Sequence, residues 1–266
     1  NEIGAIAVKA LSAKPRMGNP TPRICECSSG ILNAIGLQNQ GAEHFIADDL
    51  PWLKSTGAVV IANMVGSSAE DYVRCADILD SSAVDMLEVN ISCPNVREGG
   101  IAFGTRADTA AALTAEIRRH TKKPLMIKLS PNVSDIAEIA RAVEASGADA
   151  VSLINTLMGM RINIKTRRPM LANVTGGLSG PAIFPVALRM VWQTRAAIKL
   201  PILGGGGITS ASDAVEMLLA GADAVSVGTA MFKNPYAPIE IRDGIAAYCA
   251  ENGISDVSEL SGAVRI

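Results

Sequence analysis

The chain has 266 residues, 48% hydrophobic and 19% charged, with a formal net charge of -2. That is enough for one α/β barrel, which commonly takes about 250 residues. The charge balance argues against a general phosphate-backbone binder, and the lack of any run of ~18 apolar residues argues against a membrane-spanning helix.

In chain order, Asn1 leads almost directly into a strand-like run at 4–10 (GAIAVKA), so an upstream segment is expected to be absent from the visible chain. A long polar stretch follows, 14–40. Further short apolar runs occupy 57–63 (GAVVIAN), 84–91 (VDMLEVNI), 124–129 (PLMIKL), 148–154 (ADAVSLI), 201–205 (PILGG) and 222–228 (ADAVSVG). Amphipathic stretches at 69–79, 109–121, 135–146 and 210–220 alternate with them. Strand-then-helix alternation predicts a parallel sheet with helices covering it. The segment 155–182 is long for such a connection and predicts a small hairpin.

Seven strands suit either an open doubly wound sheet or a (β/α)8 barrel whose first strand is missing from the visible chain. Two features favour the barrel. Polar residues end most strands: Lys9, Asn63, Asn90, Lys128 and Asn155. The last two strands end in glycine, at Gly204–Gly207 and Gly228, where barrels recurrently bind phosphate. Gly176, Gly177 and Gly180 are a third glycine-rich candidate. No G-x-G-x-x-G opens the first βα turn, so a dinucleotide fold has little support.

Cys93 follows a buried strand and precedes a turn-forming Pro94. A thiol at a strand end on the active face can serve as base or nucleophile when cations lower its pKa. Lys9 and Lys128 are positive charges at the same rim. The asparagines at positions 33, 63, 90, 95 and 155 offer paired donors and acceptors without charge, suited to a pyrimidine or the polar edge of a flavin. Cys25, Cys27, Cys75 and Cys249 read as structural, and an odd, scattered cysteine set predicts a reducing cytoplasm. No metal-ligand spacing is present.

The motifs GNPTPR (18–23), NAIGLQN (33–39), VNISCPNV (89–96), GGIAFGT (99–105), IKLSPNV (127–133), INTLMG (154–159) and LANVTGGLSGPAI (171–183) are together specific. The chain resembles the soluble dihydroorotate dehydrogenases, in particular their NAD-linked two-subunit class (class 1B). The resemblance implies that residues 1–266 form a single FMN-binding barrel domain. It implies Cys93 as general base, taking a proton from C5 of dihydroorotate while hydride leaves C6 for flavin N5. Substrate contacts would be Lys9, Asn33, Ala34, Ile35, Gly36, Leu37, Asn90, Asn95, Asn155 and Thr156. FMN contacts would be Lys9, Ala10, Asn63, Asn90, Lys128, Ile154, Gly180, Gly206, Gly207, Gly228 and Thr229. Lys128 would face the negative charge of the reduced flavin. The implied product is orotate, in pyrimidine biosynthesis. The implied partner is an electron-transfer subunit carrying FAD and a [2Fe–2S] cluster, on a homodimeric core or in a heterotetramer, with no nucleic acid or membrane partner. One departure is Glu26-Cys27-Ser28-Ser29-Gly30, where the family has Glu-Thr-Pro-small-Gly.

Three other readings stay open at this level. They are an FMN barrel acting on another ring, such as dihydrouracil or a tRNA uridine; a non-redox phosphate-binding barrel; and a catalytically inactive scaffold.

Overall fold

The structure is a computed structural model that describes residues 2–92 and 101–265, with 101 and 102 described through their backbone alone. The expected apolar runs form seven strands: β1 (Ile6–Ala7), β2 (Val60–Met64), β3 (Met86–Asn90), β4 (Leu125–Lys128), β5 (Ala150–Leu153), β6 (Ile202–Gly205) and β7 (Ala224–Ser226). Each pairs in parallel with the next, so the strand order follows the chain order. Residues of β1 and β7, the two edges among the described residues, line one common cavity, so the sheet curls as a barrel wall.

Helices fill the crossovers: α1 (Leu50–Ser55), α2 (Ala69–Asp80), α3 (Ala107–His120), α4 (Ile136–Ala145), α5 (Phe184–Arg195), α6 (Ala211–Leu219) and α7 (Ala237–Glu251). Their starts are chemically marked. Ser68 accepts the Asp71 N–H, Asp135 accepts those of Ala137 and Glu138, and Ser210 forms a reciprocal pair with Asp213. Such caps satisfy amides that the first helical turn leaves without partners.

The period of two along each strand divides the side chains between two environments. Ala62, Met64, Leu87, Val89, Leu125, Ile127, Val151 and Leu153 face the helices in one continuous apolar core. Fully burying each larger side chain contributes about 1.5–3 kcal/mol. The alternate residues point into the barrel, and there the composition turns polar: Asn63, Glu88, Asn90, Lys128 and Ser152.

At the N-terminal ends of the strands one device recurs three times. An aspartate just before or at a strand accepts the backbone N–H that begins the preceding strand, and a cation from the helix side holds the same carboxylate. Asp85 takes Val60 N (2.7 Å) and Lys54. Asp149 takes Leu125 N (2.8 Å) and Arg118. Asp223 takes Ile202 N (2.7 Å) and Arg195. Each clamp joins two neighbouring strands and an adjacent helix or its flank.

The long insertions form a second layer over the barrel's C-terminal face. Ile24–Cys27 pairs antiparallel with Gly30–Asn33, and Gly30–Asn33 pairs with Gly176–Ser179, which pairs in turn with Leu157–Gly159. The expected hairpin in 155–182 is present as Ile162–Asn163 against Arg168–Pro169. The stretch 14–40 holds a hairpin that its polar composition conceals. The unusual sequence at 26–30 supplies its turn, with Ser28 and Ser29 at the tip.

Burial pushes the Asp85 carboxyl up, but Lys54, the Val60 N–H and Lys123 outweigh it, so the group titrates below the ordinary aspartate range. A folded-state pKa below the unfolded one stabilises the fold at pH above the unfolded value, ~3.9, and that contribution is lost as pH falls further. Asp85→Asn is therefore expected to lower the urea midpoint at pH 6, with the gap to wild type closing as pH drops below about 4. A gap that stays constant with pH would show that the Asp85 charge contributes nothing.

Candidate active site

Polar side chains in the barrel interior must find partners there, because water cannot reach all of them. The inner face meets this demand with one connected network. Glu88, only 2% exposed, accepts a bond from Asn63 Nδ2 and one from Ser152 Oγ (2.6 Å), so β3 is tied to both β2 and β5. Asn90 Nδ2 donates to Asn63 Oδ1 (3.3 Å). Asn90 Oδ1 accepts from Ser92 N (3.2 Å), Ser92 Oγ (2.9 Å) and Asn155 Nδ2 (3.4 Å). Asn155 Nδ2 also reaches Ser92 Oγ (2.8 Å), and its Oδ1 accepts the Thr156 N–H (2.7 Å). From outside the barrel, the buried Tyr72 hydroxyl donates to the Asn90 carbonyl (2.7 Å).

Above this network opens a cavity of about 1190 Å³. Of the residues expected at the site, it brings together Lys9, Ala10, Asn33, Ile35, Gly36, Leu37, Asn63, Asn90, Lys128, Asn155, Thr156 and Gly228. The others stand differently. Ala34 is fully buried in a small cluster with Cys25, Leu32 and Leu171. Ile154 is 7% exposed and packs beside Gly206. Gly180 and Gly207 lie against each other at the start of α5, and Thr229 begins a short 3-10 turn after Gly228. Cys93 and Asn95 lie outside the described residues.

The glycines sort into two groups. Gly206 and Gly207 have φ of 126° and 80°, which side-chain-bearing residues rarely adopt. Gly228 has nothing within 4 Å of where a Cβ would stand, leaving its backbone open to a ligand. The candidate at Gly176 and Gly177 turns out otherwise. Both lie in the strand Gly176–Ser179, and a Cβ on Gly177 would collide with Thr156 Oγ1. Their lack of side chains serves close packing of the covering layer.

The loop 33–39 is held from outside. Gly36 has φ 74°, and a Cβ there would meet Asn19 at 2.5 Å. Asn19 Nδ2 donates to Ala34 O (3.0 Å), and its own N–H goes to Ile35 O (2.9 Å). Asn39 closes the loop, donating to Leu37 O (2.8 Å) and accepting the Gly41 N–H (2.8 Å). The GNPTPR segment is thus the brace of the NAIGLQN loop.

Several contributors were not singled out in the sequence: Glu88, Ser92, Ser152, Tyr72 and Asn132. Glu88 left one signal, an acidic residue inside a strand whose other residues before Asn90 are apolar. Asn132 donates to Thr156 O (3.0 Å) and accepts Met158 N–H (2.9 Å), fixing the strand end that carries Asn155 and Thr156. Among the other cysteines, burial pushes the Cys75 thiol up to about 12, so it stays a protonated core residue. Among the described residues no cluster of three or more His, Cys, Asp or Glu is arranged to hold a metal ion, and no helix is long and apolar enough to cross a membrane.

A family profile described as dihydroorotate dehydrogenase matches residues 1–248. A protein of Trichlorobacter lovleyi named dihydroorotate dehydrogenase B (NAD(+)), catalytic subunit, is 57% identical over 99% of this chain and 87% of its own length. A protein of the same name from Geotalea daltonii is 58% identical over 100% of the chain and 87% of its own length. One from Listeria monocytogenes is 52% identical over 98% and 86% respectively.

The clamp made by Asn132 is directly testable. Asn132→Ala should raise hydrogen exchange at the Met158 amide by about tenfold or more, since that bond is lost. Unchanged exchange there would mean the strand end is held by its sheet partners alone.

Proposed function

The chain belongs to the dihydroorotate dehydrogenase family, and on that premise we propose that it is the catalytic subunit that oxidises dihydroorotate to orotate in pyrimidine biosynthesis, with FMN at the barrel mouth. The observation that carries the site reading is the convergence of Asn33, Asn63, Asn90, Asn155, Lys9 and Lys128 on one cavity. The residues present fit a flavin and a small ring together. The cavity, about 1190 Å³, is somewhat larger than usual small-molecule sites of ~300–1,000 Å³. Its inner wall offers neutral amides for the alternating C=O and N–H groups of pyrimidine and isoalloxazine.

In this reading FMN, when bound, supplies the hydride acceptor. Asn63, Asn90, Lys128 and the open backbone at Gly228 hold it, with Ala10, Ile154, Gly180, Gly206, Gly207 and Thr229 around it. Lys9 and the run Asn33–Leu37, with Asn90, Asn95, Asn155 and Thr156, orient dihydroorotate. Cys93, as thiolate, removes the proton next to a ring carbonyl. Such a base works best with a pKa near the operating pH, and nearby ammonium groups lower a thiol toward it. Lys128 adds positive charge where electron density accumulates, a preorganised electrostatic contribution.

The name shared by the relatives describes a subunit, so a partner belongs to the functional assembly. We assign it the chemistry of an electron-transfer subunit carrying FAD and [2Fe–2S], which passes electrons to NAD+, on a homodimeric or heterotetrameric core in the cytoplasm. The whole visible chain acts as one FMN-binding barrel domain.

Cys93→Ser should retain FMN yet slow anaerobic flavin reduction by dihydroorotate at neutral pH by orders of magnitude, since a hydroxyl is a far weaker base. A stopped-flow rate near wild type would refute the role of Cys93. Lys128→Ala should weaken FMN affinity or flavin reduction more than orotate affinity. The opposite ranking would count against its placement beside the flavin.

A further inference from the structure

Tyr72 lies on α2, away from the cavity, and the chemistry above makes no use of it. We propose that Tyr72 is a positioning residue for Cys93: one buried side chain holds both the stretch of chain that leads to the thiol and the stretch that follows it. The inference rests on the functional reading above.

The incoming stretch is Asn90, Ile91 and Ser92, directly before Cys93. All three are buried, and the Tyr72 hydroxyl donates to the Asn90 carbonyl at 2.7 Å. The returning stretch is the single helical turn Ile101–Gly104. There Phe103 meets the Tyr72 ring edge to face, with centroids 5.7 Å apart and planes at 84°, a favoured aromatic geometry. The two stretches also touch each other. A Cβ on Gly104 would collide with the Ile91 carbonyl oxygen, so a glycine is what lets the return seat there.

The tyrosine is itself fixed. It is fully buried, and Gly66 gives its ring room, since a Cβ on Gly66 would stand 2.7 Å from Tyr72 Cδ2. A phenylalanine would fill the same apolar space. The hydroxyl adds a buried polar group that is costly unless it is bonded, and its acceptor is the last residue of β3. The hydroxyl serves one stretch and the ring serves the other, so two point substitutions separate them. A general base must stand within hydrogen-bond reach of its proton, and a misplacement of ~1 Å can cost on the order of 10²-fold in rate. Releasing either stretch displaces Cys93 while every ligand-binding side chain is kept.

The test uses the full FMN-loaded chain, with wild-type protein first bleached by dihydroorotate. Tyr72→Phe keeps the ring contact and drops the hydroxyl, and Phe103→Leu does the reverse. Each is expected to slow flavin reduction at saturating dihydroorotate by about tenfold or more, with orotate and FMN affinities within about twofold of wild type. Leu79→Ala is the stability control, further along the same helix in the apolar core. It should lower the melting temperature and leave the reduction rate within about twofold, which separates position from stability. Hydrogen exchange needs no catalysis. Tyr72→Leu loses both contacts and should quicken exchange at residues 91–92 and 101–104 together. If wild-type protein is not bleached, the functional reading fails, and the hold on the two stretches is judged on exchange alone. A wild-type reduction rate in Tyr72→Phe or Phe103→Leu, a loss of orotate affinity as large as the loss of rate, equal slowing in Leu79→Ala, or unchanged exchange in Tyr72→Leu would each overturn the proposal.

Discussion

The polar inner face of the barrel is the constraint on which the rest depends. Parallel strands are usually buried on both faces and apolar on both. Here the inward positions near the strand ends carry Asn63, Glu88, Asn90, Lys128 and Ser152, while the outward positions carry the core. Burying such groups without partners would cost several kcal/mol each. The network from Ser152 through Glu88, Asn63 and Asn90 to Asn155 satisfies them and fixes their positions in the same bonds.

Stability and chemistry are separated along the barrel axis. The N-terminal ends of the strands hold the three aspartate clamps, each with a backbone amide and a cation. The C-terminal ends hold the asparagines and lysines. Over them lies the four-stranded layer, which brings residues more than a hundred positions apart side by side, as in Asn33 beside Gly177. The braces Asn19, Asn39 and Asn132 hold the loops of this face from outside the cavity.

Much of this was legible in the sequence. Local apolar runs mark the seven barrel strands among the described residues because each is a short apolar segment, the five inner ones largely buried and the edges Ile6–Ala7 and Ala224–Ser226 more open. The amphipathic stretches at 69–79, 109–121, 135–146 and 210–220 become helices within a few residues of those bounds. The rim residues were readable because strand ends on one face of a barrel converge. The covering layer was harder to see. Ile24–Cys27 is half polar, and its pairing depends on Gly176–Ser179, far away in the chain. Gly176 and Gly177 read as a third glycine-rich candidate because composition does not distinguish a glycine that opens its backbone to an anion from one needed for close packing. Glu88 showed only as an acid in a strand whose other residues before Asn90 are apolar. Its role depends on Asn63 and Ser152, which reach it from two other strands. Cys93 and Asn95 are read from motif alone, since they lie outside the described residues.

The central claim is that this cavity oxidises dihydroorotate with FMN bound among the asparagines and Lys128. The most direct measurement is anaerobic titration of the FMN-loaded chain with dihydroorotate, following flavin absorbance and product together. Bleaching that is complete near one equivalent, with matching formation of orotate, is the result this account predicts. A flavin that stays oxidised in the presence of excess dihydroorotate would contradict it.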